Sequence, residues 1–279
     1  MKYEAIMDQG PPKQCHLLAL PGELRAVILE LVFHDPARQT GLVKKGASGS
    51  LVLDDYYRAN SNLAPLLVCR QMYQDSAYLG MSATTFVMTS LFGEIPQRLS
   101  ILQTKQVQSI RNITFAADAR QFRKMIDWRQ HPFDLPNLQL DTLTIVLNRS
   151  SFWHYLFDYT QGIVSLLRSL QGVRRLVIVR NDARVKGSLK TWYNRLVGLI
   201  LKVDHQQRYD TTSPKLEEVW WKWSFDQTAQ TICLEAQPPK PLTDEEDYFQ
   251  MVLPLMEKLR DSIETEEWNP DPRSRTMYY

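Results

Sequence analysis

Leu17-Leu18-Ala19-Leu20-Pro21-Gly22-Glu23-Leu24-Arg25, continued by Ala26 to Phe33, is the stretch from which the organisation of the chain is read. Pro21 suits a first helical turn, where no backbone donor is required, and the apolar residues beyond it fall at Leu24, Val27, Ile28, Leu31 and Val32. This spacing predicts a short helix with one apolar stripe. Glu23 stands near the positive end of the helix dipole, and His34-Asp35-Pro36 predicts the end, because a residue before proline is pushed out of helical geometry. The stripe is either an ordinary core contact of a helix packed on its own domain or an apolar face held open for a partner.

Further along stand Leu66-Leu67-Val68-Cys69-Arg70-Gln71-Met72-Tyr73 and a segment from Leu79 to Phe86 that ends in Ala83-Thr84-Thr85-Phe86. In this order, the Leu-Pro-x-Glu-Leu-Arg-x-x-Ile-x-x-Leu-Val pattern and the later segments resemble an F-box, in the variant found among F-box-like proteins of filamentous fungi, and the resemblance implies a second helix over Leu66 to Tyr73. The resemblance implies a non-enzymatic substrate receptor, in which Leu20, Pro21, Leu24, Ile28 and Val68 lie against the adaptor subunit of a cullin-RING ubiquitin ligase. It further implies that the second half presents a target for ubiquitin-dependent degradation, with the transfer chemistry in other subunits. A compact F-box joins its helices closely. Here residues 36–61 form a polar stretch containing Gly41, Lys44-Lys45-Gly46, Ser48-Gly49-Ser50 and Asp54-Asp55, which is expected as an inserted surface loop. The other reading of the helices is a ligase-independent scaffold or recognition module in which they are only core.

At 279 residues, with 44% hydrophobic and 23% charged residues, the chain has the composition of a soluble globular protein of one large or two small domains. The net charge of +2 argues for no particular partner, but its distribution is uneven. Arg168 to Lys202 holds nine bases and one acid, Asp182, whereas Glu235 to Glu267 holds ten acids and three bases. Such segments either face each other or form separate solvated faces. Nucleic acid is not expected as a partner; that reading would rest on Arg174, Arg175, Arg180, Arg184, Lys186 and Lys190. Cys15, Cys69 and Cys233 are odd in number and widely spaced, which suggests neither a disulfide framework nor a zinc site. No segment approaches membrane-spanning length and the first twenty residues do not read as a signal peptide, so a cytoplasmic or nuclear protein is expected. Asn112-Ile113-Thr114 and Asn148-Arg149-Ser150 are then chance sequons.

After a helix-like piece around Pro96 to Gln106, apolar residues repeat as apolar-x-x-apolar-x-apolar at Ile110, Leu140, Val173 and Leu216. Three places after each motif's last apolar residue stand Asp118, Asn148, Asn181 and Ser224. The pattern resembles the strand segment of a degenerate leucine-rich repeat, whose polar residue bonds the turning backbone. Helical spacing lies between the strands, over Ala119 to Arg129, Phe152 to Leu170 and Leu189 to Val203. The expected fold is therefore α/β or α+β, either an irregular solenoid or an ordinary sheet with mostly parallel strands. Residues 1–16 read as a flexible lead, 17–90 as the F-box-like helical module, 91–268 as the strand-helix domain and 269–279 as a tail.

Strand alternation over Leu216 to Phe225 places Val219, Trp221, Trp223 and Phe225 on a core face and Trp220 with Lys222 on the other. An exposed Trp220 beside Lys222 would be a target-binding anchor; otherwise a loop or the C-terminal helix covers it. Thr231 to Glu235 predicts a last strand, and Thr243 with Glu246 a capping box opening a helix to about Thr265. No catalytic constellation is found. The 11 glycines form no phosphate-binding loop, Ser50 stands where Gly46-Ala47-Ser48-Gly49 would need its closing glycine as a nucleophile elbow, and the five histidines lack metal-ligand spacing. Neither cofactor, metal nor enzymatic activity is expected.

Overall fold

The computed structural model describes residues 15–33, 40–89, 95–149, 152–153, 156–185 and 187–271. Helix α1 (His16–Ala19) turns at Leu20-Pro21 into α2 (Gly22–Phe33), while the predicted stop at His34 to Pro36 lies outside the described residues. The stretch expected as a loop is ordered structure where it is described. Strands β1 (Leu42–Lys44) and β2 (Leu51–Leu53) form an antiparallel hairpin in which Leu42 faces Leu53, and α3 (Ala59–Leu63) follows. Each strand has only three residues, so no alternation stood out from the surrounding Lys, Gly and Ser. Gly41 and Gly49, both left-handed at φ 64° and 66°, make the turns at the strand ends.

Helix α4 (Arg70–Ala83) runs through Thr84 directly into β3 (Thr85–Met88), so the strand lies before the boundary drawn at residue 90 but belongs to the main sheet. Two short helices, α5 (Ile95–Ser100) and α6 (Thr104–Ser109), replace the single helix expected there. Strand β4 (Asn112–Ala117), α7 (Ala119–Ile126) and β5 (Leu140–Leu147) then follow the predicted alternation. Asp118 caps α7 by accepting from the Gln121 backbone N–H at 2.8 Å. The helix expected from Phe152 begins only at Thr160: β6 (Phe152–Trp153) precedes α8 (Thr160–Ser169), and β6 pairs with β8 (Arg184–Val185) beyond β7 (Val173–Val179). Helix α9 (Leu189–Tyr209), the hairpin β9 (Trp220–Asp226) and β10 (Thr231–Gln237), and α10 (Glu245–Trp268) complete the chain. Asp244 occupies the position before α10, and the Thr243 hydroxyl finds no partner among the described residues, so the predicted capping box is not formed.

The main sheet has six strands in the order β3-β4-β5-β7-β10-β9. The first four are parallel and lie side by side in sequence order, as crossover helices require; β10 and β9 join antiparallel. The apolar repeat therefore stops after three motifs, because β10 stands between β7 and the fourth motif's strand β9, whose hairpin closes through left-handed Gln230 at φ 55°. Residues pointing to one face, Ile113, Phe115, Leu143, Ile145, Leu176 and Ile178, join one large core with Phe122, Ile163, Trp192 and Leu196 of the helices. On the opposite face Val146 and Val179 pack against Leu53, with Leu42 and Leu51 beside them. The hairpin thus covers one end of the sheet face opposite the main core.

Asn181 holds that cover in place. Buried and left-handed at φ 53°, it donates to the Leu147 carbonyl at 3.0 Å and accepts from the Leu53 N–H at 2.9 Å. Arg149 donates to the same Asn181 oxygen and to the Leu53 carbonyl, and the Leu51 N–H bonds the Ala229 carbonyl. A methyl group at Gly41 would both oppose its positive φ and collide with Val87. Gly41→Ala is accordingly expected to cost about 2 kcal/mol, read as a lower urea midpoint with an unchanged slope.

Candidate functional site

Helix α2 has its polarity turned inside out. Its buried row is Arg25, Leu29 and Phe33, spaced four apart along one ridge, whereas Leu24, Val27, Ile28, Leu31 and Val32 face solvent. Leu24 is 53% exposed, Ile28 37% and Leu31 74%, against 1% for Leu29. Arg25 is accommodated because every side of its guanidinium is engaged. Nε and Nη2 each meet Asp75 of α4 at 2.9 Å, and Nη1 donates to the carbonyls of Leu18 and Leu20 at the corner between α1 and α2. Leu29 and Phe33 fill a small second core with Leu66, Met72 and Ala83. Gly80 allows this close packing, since a Cβ there would lie 3.1 Å from the Phe33 ring.

The five residues marked for adaptor contact are placed as follows. Pro21, Leu24, Ile28 and Val68 are exposed and Leu20 is half-buried. Val68 lies just before α4, at the end of a single 3-10 turn (Ala64–Leu67), with Leu67 beside it also exposed and Leu66 turned into the core. The second helix therefore starts later than predicted, at Arg70, and Leu67-Val68 is a solvent-facing corner of the helical unit. Leu24, Val27, Ile28 and Leu31 are contiguous at helical spacing and form an apolar strip of about two turns. Scattered single apolar residues need no explanation; a continuous stripe opposite a buried arginine does.

Trp220 and Lys222 do not form an exposed anchor. Lys222 is exposed, but Trp220 is only 9% exposed and belongs to the main core, its ring 5.4 Å from that of Trp223 and capped by Lys240 Nζ at 3.2 Å from the centroid. The cover is the proline-rich segment after β10, whose Lys240 sequence reasoning had no means to aim. This correction removes Trp220 as a target contact.

The oppositely charged segments meet in part. Arg175 pairs with Glu235 at 3.4 Å, and just past the basic segment His205 of α9 hydrogen-bonds Glu245 of α10 at 2.8 Å. Their deepest link is a buried cluster centred on Arg208, which binds Asp204 at 3.0 Å, Glu217 at 2.7 Å and the Pro241 carbonyl at 2.9 Å. Arg168 and the Tyr248 hydroxyl complete the Asp204 carboxylate. Burial raises the Asp204 carboxyl, but the hydrogen bonds from Tyr248 and Arg208 and the Arg208 charge outweigh it and hold the group below the usual carboxylate range. Glu217 moves the other way, pushed up by burial and by Asp204. Two carboxyls driven apart in this way are a pattern of acid-base sites. Here both are nearly fully buried and spent on Arg208 and on the Lys240 backbone N–H, so the cluster fastens α9, the 238–241 segment and α10 together.

Among the described residues no group of His, Cys, Asp and Glu is placed to hold a metal ion, and no helix is long and apolar enough to cross a membrane. All three cysteines are free. No family model, curated protein or solved structure matches the chain.

Two outcomes follow from this geometry. Leu31→Ser should change unfolding free energy by less than about 0.5 kcal/mol, while Leu29→Ala should cost about 2–5 kcal/mol, measured by urea denaturation. The Lys240 ammonium is lowered to about 8, chiefly by burial and further by Arg208, against the opposing pull of Asp204 and Glu217. An unfolded chain keeps that proton to about pH 10.4, so between these values the unfolded state binds more protons and stability rises with pH. Relative to Lys240→Met, the natural chain should gain stability from about pH 8 to about pH 10.4, other titrating groups being common to both.

Proposed function

We propose that the chain is a non-enzymatic protein–protein interaction protein, an F-box-like substrate receptor. In this reading the α2 stripe docks on the adaptor subunit of a cullin-RING ubiquitin ligase and the sheet domain presents a target for ubiquitin-dependent degradation in the cytoplasm or nucleus. The observation that carries it is the outward stripe of Leu24, Val27, Ile28 and Leu31 on a helix whose inward face includes Arg25. An apolar helix face of this kind suits insertion against partner helices. Pro21 and the exposed Leu67-Val68 corner belong to the same small helical unit. The alternative, a ligase-independent scaffold in which these helices serve only as core, would bury Leu24 and Ile28, and their exposure weighs against it.

The test is co-purification with the adaptor from a eukaryotic host, comparing the intact chain with a Leu24→Asp, Ile28→Asp double variant. Both replaced residues face solvent, so the variant should keep its circular dichroism spectrum and still lose capture. Absence of capture by the intact chain would reject the receptor reading.

A further inference from the structure

Parallel strands are normally covered on both faces, yet among the described residues β3, β4, β5 and β7 have helices packed on one side and a short hairpin over one end of the other. Alternation and register define what the hairpin leaves open. One row across the strands reads Thr85, Asn112, Thr142, Arg175, and the next reads Val87, Thr114, Thr144, Val177. This end of the face is a cleft of about 630 Å³, walled by the hairpin at Leu42 and by the α4–β3 corner at Ser82 and Thr85. The size is that of a small-molecule site.

Its chemistry is rich in hydrogen-bond donors. Five threonines line it, with the guanidinium-bearing Arg111 and Arg175 and, among the described residues, a single carboxylate, Asp141. Thr114 is 1% exposed and its hydroxyl has no partner among the described residues, which costs about 1–3 kcal/mol unless an acceptor reaches it. Arg111 spends one nitrogen on the Gln139 carbonyl, and Arg175 holds a half-exposed pair with Glu235 at 3.4 Å, a kind of contact worth little in water. Both retain donors for an oxyanion, for which guanidinium geometry is well matched. Aromatic rings are absent from the lining among the described residues, which disfavours stacking ligands such as bases. Asp141 is an acceptor that a ligand hydroxyl could use.

We propose that this cleft binds a small organic acid, a hydroxylated carboxylate, with its carboxylate toward Arg111, Arg175 and the threonine hydroxyls and its hydroxyl toward Asp141. The assignment stands independently of adaptor docking, since it uses none of the residues of α2.

Isothermal titration of the full chain with millimolar citrate tests it, with tricarballylate as the same tricarboxylate lacking the hydroxyl and inorganic phosphate at matched ionic strength. Saturable binding of citrate is expected, weakened about tenfold in Arg175→Ala and in Thr142→Val, and weaker for tricarballylate than for citrate. Arg175 is exposed, so its variant keeps the fold even if the change at half-buried Thr142 does not. Absence of saturable citrate binding would overturn the proposal, as would equal affinity in Arg175→Ala, which would mark general anion attraction. Preference for phosphate over both acids would overturn the carboxylate assignment.

Discussion

An arginine turned inward sets the N-terminal half of this protein. Arg25 is bound on one side by Asp75 and on the other by the Leu18 and Leu20 carbonyls. A buried guanidinium tolerates no loose alternative, because losing one partner of such a pair leaves a charge uncompensated at about 3–5 kcal/mol. With Arg25 fixed, the rotation of α2 is fixed. Residues four apart, Leu29 and Phe33, must follow it into the small core, and the larger apolar set at 24, 27, 28 and 31 is carried outward. The cost of leaving that set in water is the physical ground for assigning it a partner.

The helical unit is joined to the sheet by more than a linker. Helix α4 continues into the edge strand β3, the Tyr57 hydroxyl donates to the Thr85 carbonyl, and Asn112 of β4 donates to the Ser82 carbonyl. The hairpin between α2 and α3 then reaches across the sheet to Asn181 and Ala229. What would be an awkward insertion in a closed helical module is here the element that covers one end of the sheet face opposite the main core. The organisation has one consequence for mechanism: an outward stripe on α2 and an open cleft on the sheet are held by the same strand-and-hairpin framework.

Much of this was legible in the residues. Strands at Asn112, Leu140 and Val173 followed from their apolar spacing, and the helices between them from periodicity, because each buries one face against one sheet. Asp118 and Asn181 stood at the turning positions, and both bind backbone there. The hairpin was not legible: three-residue strands among lysines and glycines carry no measurable alternation, and Leu42 and Leu53 find their partners only about a hundred residues away in Val146 and Val179. Trp220 failed for a different reason. Its exposure depended on where a proline-rich segment would carry Lys240, a tertiary fact that strand alternation does not contain. The spacing of α2 located the stripe but left its direction open, since periodicity is the same whether a stripe faces in or out; only the Arg25–Asp75 pair decides.

The measurement that bears most directly on this account is the rate of thiol labelling in the folded chain at positions 24 and 29, using Leu24→Cys and Leu29→Cys with exposed Cys15 replaced by serine. Position 24 should react at nearly the rate seen in denaturant, and position 29 should be slowed by about a hundredfold or more, reporting the opening of a packed helix. Equal protection at the two positions would mean that the stripe is covered within the chain, and the outward-facing helix, with the function built on it, would be wrong.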